Sequence, residues 1–141
     1  MKVLIAEDET IIRLDLRTLL ERAGFEVCAE ARDGEEAVEL ARETQPEVAV
    51  LDVKMPRLDG IEAARRILAE RPIPIVMLTA YGQDELVSRA IEAGVFGYLV
   101  KPFREHVRVA VGVVEHAELD HALDLVRVAV EADVVRLEVL A

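Results

Sequence analysis

Residues 48–52, VAVLD, are four apolar residues followed by an acid. The sequence continues as VKMPRLDG to residue 60, where Pro56 and the Asp59-Gly60 pair are typical of a loop that leads into a helix. A continuously apolar strand is typical of the centre of a parallel sheet, where helices cover both faces. We therefore predict that residues 48–51 form a central strand and that Asp52 stands at its carboxyl end.

Two more acids follow another apolar run. KVLIA at residues 2–6 predicts a strand, and Glu7 and Asp8 come directly after it. Ligands of open α/β sheets bind outside the carboxyl ends of the strands, so these acids are expected to converge with Asp52. Converging carboxylates repel one another unless a cation lies between them. Oxygen ligands in small number suit Mg²⁺, which keeps several waters and also binds phosphate oxygens.

A hydroxyl and an ammonium group end two further predicted strands. IPIVMLT at residues 73–79 ends on Thr79, and GYLV at residues 97–100 is followed by Lys101. Together with a metal ion, these groups would complete a pocket for a phosphoryl group. The pattern indicates that phosphate is placed on Asp52.

Helical patterns alternate with the strands along the chain. Besides the strands named above, the sequence predicts a strand over residues 25–31, helices over residues 10–23, 34–44, 61–70 and 85–93, and a last helix after Phe103. This alternation indicates a parallel sheet with right-handed crossovers. We predict an α/β fold, a flavodoxin-like (βα)5 doubly wound parallel sheet in the order 2-1-3-4-5. Its switch point lies between strands one and three, which carry the three acids.

Composition and charge exclude several classes of protein. The net charge of −11 argues against a free-standing nucleic-acid binder, and no basic recognition helix is visible, so no DNA-binding domain is predicted. The apolar runs are too short for a membrane span, and MKVLIAEDE is typical of a first strand and not of a signal peptide. The single cysteine, Cys28, cannot form an internal disulfide, which fits a cytoplasmic location.

Four segments together resemble the receiver domain of bacterial two-component response regulators. They are LIAEDE, VLDVKMPRLDG, LTAY and YLVKPF, in the order and at the spacing of that family. The resemblance runs from Lys2 to about Val114. It implies a receiver domain over residues 1–114 and a separate tail over residues 115–141.

The resemblance implies a role for each acid. Asp52 would be the phospho-acceptor, and Glu7 and Asp8 would hold Mg²⁺ together with Asp52 and the backbone carbonyl of Lys54. Glu7 stands where many relatives have aspartate, and its longer side chain allows binding through water. A histidine kinase or a histidine phosphotransfer protein would supply the phosphoryl group.

The resemblance also implies a switch. Lys101 would pair with Asp52 and then with the phosphoryl group, and Thr79 would donate its hydroxyl to that group. Ala80 is small and would leave room for the donor, and Tyr98 would turn inward as Thr79 moves. Such a chain is not an enzyme beyond its own phosphotransfer and dephosphorylation, and it would signal to a protein partner that the sequence does not identify.

The tail is predicted to be helical and self-associating. Residues 104–141 carry a local charge of −4, and apolar side chains recur at heptad-like spacing at Leu119, Leu123, Val126, Val130, Leu137 and Leu140. We expect residues 115–141 to form a dimerisation helix. The alternative is that the tail folds back on its own receiver domain.

Other functions remain open. Within the family the sequence is most similar to receivers of antiterminator regulators, so one alternative is the receiver and linker of an RNA-binding antiterminator whose output module is missing. Another is a structural dimerisation module whose acidic site is not used. Aspartyl-phosphate hydrolases place a second acid two residues after the nucleophile, where this chain has Lys54. No GxGxxG follows the first strand, which argues against dinucleotide binding.

Overall fold

Strands and helices alternate in the computed structural model, which describes residues 2–22, 24–80, 84–95, 97–101, 107–109 and 138–139. The elements are β1 (Lys2–Ala6), α1 (Thr10–Arg22), β2 (Glu26–Ala31), α2 (Gly34–Thr44), β3 (Val48–Asp52), α3 (Gly60–Glu70), β4 (Ile75–Ala80), α4 (Asp84–Glu92), β5 (Gly97–Lys101), β6 (Val107–Val109) and β7 (Glu138–Val139). In these residues no helix has the length and apolar character that a bilayer crossing requires.

The strands form one sheet in the order β2-β1-β3-β4-β5-β6-β7. The pairs from β2 to β5 are parallel, so the α/β fold with a parallel sheet and the predicted order 2-1-3-4 are confirmed. β5 lies parallel to β4, but the sheet continues beyond it, because β6 is antiparallel to β5 and β7 is parallel to β6. A sheet limited to five strands is therefore not confirmed.

The predicted helical tail is corrected where the structure describes it. Val107–Val109 and Glu138–Val139 are strands, although the sequence predicts helix at both places. Two valines flank Arg108 in alternation, a pattern that suits a strand, and the outer edge of β5 supplies a pairing partner. The other residues after Lys101, including the six that carry the heptad-like pattern, lie outside the described residues.

Helices cover the central strands on both sides. Alternate residues of β1 and β3 point to opposite faces, so one cluster packs against Leu16 and Leu20 of α1 and contains Val3, Ile5, Val48 and Val50. The other lies under α2 and α3 and contains Leu4, Ala6, Ala49, Leu51, Ala37, Ile61 and Ile67. All five residues of β3 are buried, which explains why this strand is apolar without alternation.

Side-chain caps begin two of the helices. The Asp33 side chain accepts a hydrogen bond from the Glu36 amide at the start of α2. Asp59 accepts one from the Glu62 amide in the same way and begins α3 one residue earlier than predicted. These caps fix the loops that lead from β2 and β3 into their helices, at the edge of the sheet where the acids lie.

Candidate functional site

Three carboxylates lie together where β1 and β3 end. Glu7, Asp8 and Asp52 each offer an oxygen, and these atoms all lie within 4.8 Å of one another. Within the described ranges, this is the one group of three or more side chains that could hold a metal ion. The structure thus brings together the three acids that the sequence predicted to converge.

The end of β1 positions Glu7 through its backbone. The Glu7 amide donates to the Ala31 carbonyl at 3.0 Å, which extends the ladder with β2 by one residue. The Glu7 carbonyl accepts from Arg13 Nη1 at 2.8 Å, and Glu7 Oε1 accepts from the Glu9 amide at 3.1 Å. Glu7 is fully buried, whereas Asp8 is exposed, so the group is open to solvent on the Asp8 side.

The end of β3 positions Asp52 at the same level of the sheet. Ala6 of β1 is in register with Leu51, and Asp52 is in register with Leu78 of β4. The ladder continues past the strand, because the Val53 amide donates to the Leu78 carbonyl at 3.0 Å. Asp52 is only 6% exposed, so the carboxylate sits in a largely dry place.

Gly60, at the end of the loop after β3, lies close to the backbone of Asp52. The Gly60 amide donates to the Val53 carbonyl at 2.8 Å. A Cβ atom at position 60 would overlap the Asp52 carbonyl oxygen and would press on Met77 Cε. From the sequence, Asp59-Gly60 is predicted only as a turn and helix start, and the short segment between Asp52 and this glycine is the signal for its closer role. Asp52 therefore cannot shift without moving the start of α3.

Burying like charges together is unfavourable. One carboxylate oxygen from each of Glu7, Asp8 and Asp52 lies within 4.8 Å of the other two. Two unit charges at that distance repel by on the order of 3 kcal/mol at an effective dielectric constant of about 20. A divalent cation would remove that repulsion, and a set of carboxylate oxygens with one exposed side suits Mg²⁺, which retains water ligands. The donor set and its partial exposure therefore fit the ion that the sequence predicted.

The other residues of the predicted site lie on neighbouring strand ends. In the backbone register of β4 and β5, Thr79 is opposite Val100 and Ala80 is opposite Lys101. These positions end the strands next to β3, at the same edge as Asp52. The side chains of Thr79, Ala80 and Lys101 lie outside the described residues, so their approach to Asp52 stays a prediction.

Two further site residues are placed only in part. Tyr98 lies on β5 opposite Met77, and its side chain is outside the described part of the chain. Lys54 follows β3 by two residues, and its side chain is exposed. The role of the Lys54 carbonyl as a metal ligand stays a prediction, as does the switching role of Tyr98.

Comparison with known proteins matches the same part of the chain. Residues 3–111 match the family model of the response regulator receiver domain. Over 102 residues the chain is 56% identical to the transcriptional regulatory protein PdtaR of Mycobacterium tuberculosis, which covers 72% of this chain and 50% of that protein. It is 38% identical over 104 residues to the chemotaxis protein CheY of Thermotoga maritima, covering 73% of this chain and 87% of that one.

The fold is also similar to that of a solved structure. The REC domain of AraT, a response regulator from Geobacillus stearothermophilus, superposes with a TM-score of 0.66 at 38% identity and covers 72% of this chain and 81% of that one. The chain spans about half the length of the PdtaR proteins that it matches. The similarity therefore concerns the part that contains the acidic group.

Proposed function

The chain belongs to the family of response regulator receiver domains of two-component systems, and we propose that its phospho-acceptor is Asp52. Receiver domains take phosphoryl groups from histidine kinases or phosphotransfer proteins. The observation that carries the proposal is the cluster of Glu7, Asp8 and Asp52, with oxygens within 4.8 Å of one another at the carboxyl edge of the sheet. A buried cluster of like charges weakens the fold unless a cation binds between the carboxylates.

Asp52 would act as the nucleophile. One of its carboxylate oxygens forms a bond to phosphorus while the bond from phosphorus to the donor's imidazole nitrogen breaks, and the imidazole leaves with the electron pair. Glu7, Asp8, Asp52 and the Lys54 carbonyl would hold Mg²⁺, which would neutralise charge on the transferring oxygens. The close contact between Gly60 and the Asp52 backbone keeps the nucleophile in place during the transfer.

The phosphoryl group would then act through β4 and β5. It carries about −1.5 to −2 charge and strong acceptor oxygens. We propose that Lys101 and the Thr79 hydroxyl bind these oxygens, that Ala80 leaves the approach open, and that Tyr98 turns inward as Thr79 moves. Thr79 pairs with Val100 and Ala80 pairs with Lys101 in the sheet, which supports coupled movement of the ends of β4 and β5. Phosphorylation would shift an existing equilibrium of α4 and β5 and thereby change binding of a protein partner.

We propose no activity of the chain on other substrates. Hydrolases with an aspartyl-phosphate intermediate need a second acid two residues after the nucleophile, and Lys54 stands there with an exposed side chain. The chain would catalyse only its own phosphotransfer and dephosphorylation, in the cytoplasm.

Self-association through the tail is a second part of the proposal. It is supported only by the spacing of apolar side chains over residues 115–141, with residues 1–114 as the receiver domain. Light scattering of the full chain at micromolar concentration should give the mass of a dimer. A monomeric mass would exclude this part and leave the phosphoryl chemistry untouched.

A second candidate function rests on the similarity to PdtaR. The chain is 56% identical to half of a protein named as a transcriptional regulator, which is compatible with the resemblance to antiterminator receivers. The chain would then be the receiver and linker of an RNA-binding regulator. Binding of a structured leader RNA at physiological salt would favour this candidate, and the absence of such binding would exclude it.

Intact-mass measurement tests the main proposal. The full chain is incubated with acetyl phosphate, with and without Mg²⁺, beside the variants Asp52→Asn and Asp59→Asn. Asp59 is a matched control, because it lies in the same loop and asparagine caps a helix as well as aspartate does. We expect one phosphoryl adduct that needs Mg²⁺, is lost in Asp52→Asn and persists in Asp59→Asn. An adduct that survives Asp52→Asn would refute the assignment.

A further inference from the structure

Arg13 reaches from α1 back to the acidic group. It is in the first turn of the helix, and its amide donates to the Glu9 carbonyl at 2.9 Å. Long side chains of a helix point toward its amino end, and the Arg13 guanidinium does so, because Nη1 donates to the Glu7 carbonyl at 2.8 Å. A charged donor makes this bond stronger than one between neutral groups. The Arg13 side chain is only 14% exposed, so water competes little for the bond.

The edge strand β2 contacts the same guanidinium. Glu30 lies on β2 opposite Ile5 of β1, and its Oε1 is 3.7 Å from Arg13 Nε. The other oxygen of this carboxylate accepts from Arg17 Nη1 at 2.6 Å, so Glu30 pairs with two arginines of α1. Arg13 therefore links α1 and β2 to the residue that follows β1.

The peptide group that Arg13 contacts carries two of the three clustered acids. The Glu7 carbonyl belongs to the planar peptide that joins Glu7 to Asp8, and this plane contains the Cα atoms of both residues. A bond that fixes the carbonyl therefore restricts the directions in which both side chains leave the backbone. The oxygens of these side chains and of Asp52 lie within 4.8 Å of one another, a spacing that a turn of this peptide would change.

We propose that Arg13 is a positioning residue, which sets the affinity of the acidic group for Mg²⁺ by holding the peptide between Glu7 and Asp8. This inference rests on the proposed function, in which the acids hold that ion. Charge and position act in opposite directions here. By charge alone, removal of a guanidinium beside the group would tighten the binding of a cation. Position dominates, because the Glu30 carboxylate offsets part of the charge of Arg13.

Binding of Mn²⁺ to the full chain tests this role. Mn²⁺ takes the same oxygen ligands as Mg²⁺, and electron paramagnetic resonance measures the unbound ion. Arg13→Met removes the donor and keeps an apolar side chain. It should raise the Mn²⁺ dissociation constant about tenfold, as is usual for groups that orient metal ligands. Tighter binding than in the unchanged chain would show that charge dominates and would overturn the proposal.

Arg17→Met is the matched control. It removes the same charge from the same helix, but Arg17 lies one turn further along and bonds Glu30 and Glu21. Its side chain is 42% exposed, so solvent and salt screen its charge, and its Mn²⁺ dissociation constant should stay within about twofold of the unchanged value. Equal dissociation constants in the two variants would refute the role of Arg13.

The phosphorylation reaction separates positioning from a general loss of structure. With acetyl phosphate as the donor, Arg13→Met should need about tenfold more Mg²⁺ for half of its maximal rate. Its rate at saturating Mg²⁺ should match that of the unchanged chain, because the bound ion then holds the acids itself. A lower rate at saturating Mg²⁺ with an unchanged Mg²⁺ requirement would contradict positioning. If Arg13→Met does not fold, Arg13→Gln, a shorter and neutral side chain, takes its place with the same expectations.

Asp52→Asn separates this inference from the proposed function. Equal Mn²⁺ binding by Asp52→Asn and the unchanged chain, or no binding by the unchanged chain, would refute the metal site itself. Weak binding by Asp52→Asn together with an unchanged dissociation constant in Arg13→Met would refute the role of Arg13 alone.

Discussion

At the carboxyl edge of the sheet the chain gathers Glu7, Asp8 and Asp52, charges of one sign, and buries two of them. At the amino edge, where α2 and α3 end, it pairs charges of opposite sign and leaves them exposed, as in Arg42 with Glu70. The second arrangement is what stability alone favours, because exposed opposite charges cost little and buried like charges cost a great deal. The difference indicates that the carboxyl edge is built for a ligand at the expense of stability.

The backbone differs between the two edges as well. At the carboxyl edge, α2 begins against the β3–α3 loop, since a Cβ at Gly34 would overlap the Leu58 carbonyl, and α3 begins against Asp52 at Gly60. At the amino edge, Gly24 has open space around it and is required only for its positive φ of 92°. Contacts that fix the loops are therefore concentrated beside the acids.

The largest expected effect comes from a methyl group at position 60. Gly60→Ala should lower the free energy of unfolding by about 3 kcal/mol, because the backbone must move away from the Asp52 carbonyl. Gly24→Ala at the other edge should lower the free energy of unfolding by only about 1 kcal/mol, because alanine disfavours the left-handed conformation that Gly24 adopts. Urea unfolding measures both, and equal costs would break the contrast between the edges.

Charge removal at the carboxyl edge should stabilise the protein when no divalent metal is present. Asp52→Asn should raise the free energy of unfolding by about 1 kcal/mol, because it relieves repulsion from Glu7 and Asp8. Saturating Mg²⁺ should stabilise the unchanged chain more than the variant, since we expect the ion to bind the folded state of the unchanged chain more tightly. Thermal unfolding with and without Mg²⁺ measures this, and an identical gain in both proteins would contradict the metal site.

The cap of α3 should contribute to stability without contributing to the site. Asp59→Ala should lower the free energy of unfolding by about 1 kcal/mol, because the Glu62 amide loses its acceptor. Its Mg²⁺ response should match that of the unchanged chain. Unfolding by urea with and without Mg²⁺ checks both, and a lost Mg²⁺ response would place Asp59 among the metal-binding groups.

The smallest effect is expected at the amino edge. The hydrogen bond from Arg42 holds the pKa of Glu70 below its ordinary value, with the charge of Arg42 acting in the same direction and desolvation opposing both. A lowered pKa means that the stabilisation is present at neutral pH and is lost as the pH falls through the pKa of the folded state. Glu70→Gln should therefore have a slightly lower free energy of unfolding than the unchanged chain at pH 7. This difference, measured by urea unfolding across pH, should disappear in acid. A difference that grows in acid would contradict the pairing of Arg42 with Glu70.

Local pattern predicted much of this architecture. The apolar run over β3 and the acid that ends it are adjacent in the sequence, and burial on both faces of a central strand requires such a run. The position of Asp52 at the carboxyl end of β3 is therefore predictable from local pattern. Glu7 and Asp8 were placed in the same way after β1. Because parallel strands share one carboxyl edge, their convergence with Asp52 followed from the fold.

Contacts between distant segments were not predictable in this way. Val107–Val109 was expected to be helical, and its strand depends on a free edge of β5 that the local sequence does not encode. The overlap that forbids a side chain at Gly60 depends on the path of the whole loop.

Chemical mapping of the phosphorylated residue tests the central claim most directly. The full chain is phosphorylated with acetyl phosphate and Mg²⁺ and then reduced with borohydride, which converts an aspartyl phosphate into homoserine. Peptide sequencing by mass spectrometry locates the converted residue. We predict homoserine at position 52 only, and none when Mg²⁺ is left out. Homoserine at Asp8 or Asp59 instead, or at no position, would contradict the assignment of the buried acid at the end of β3 as the phospho-acceptor.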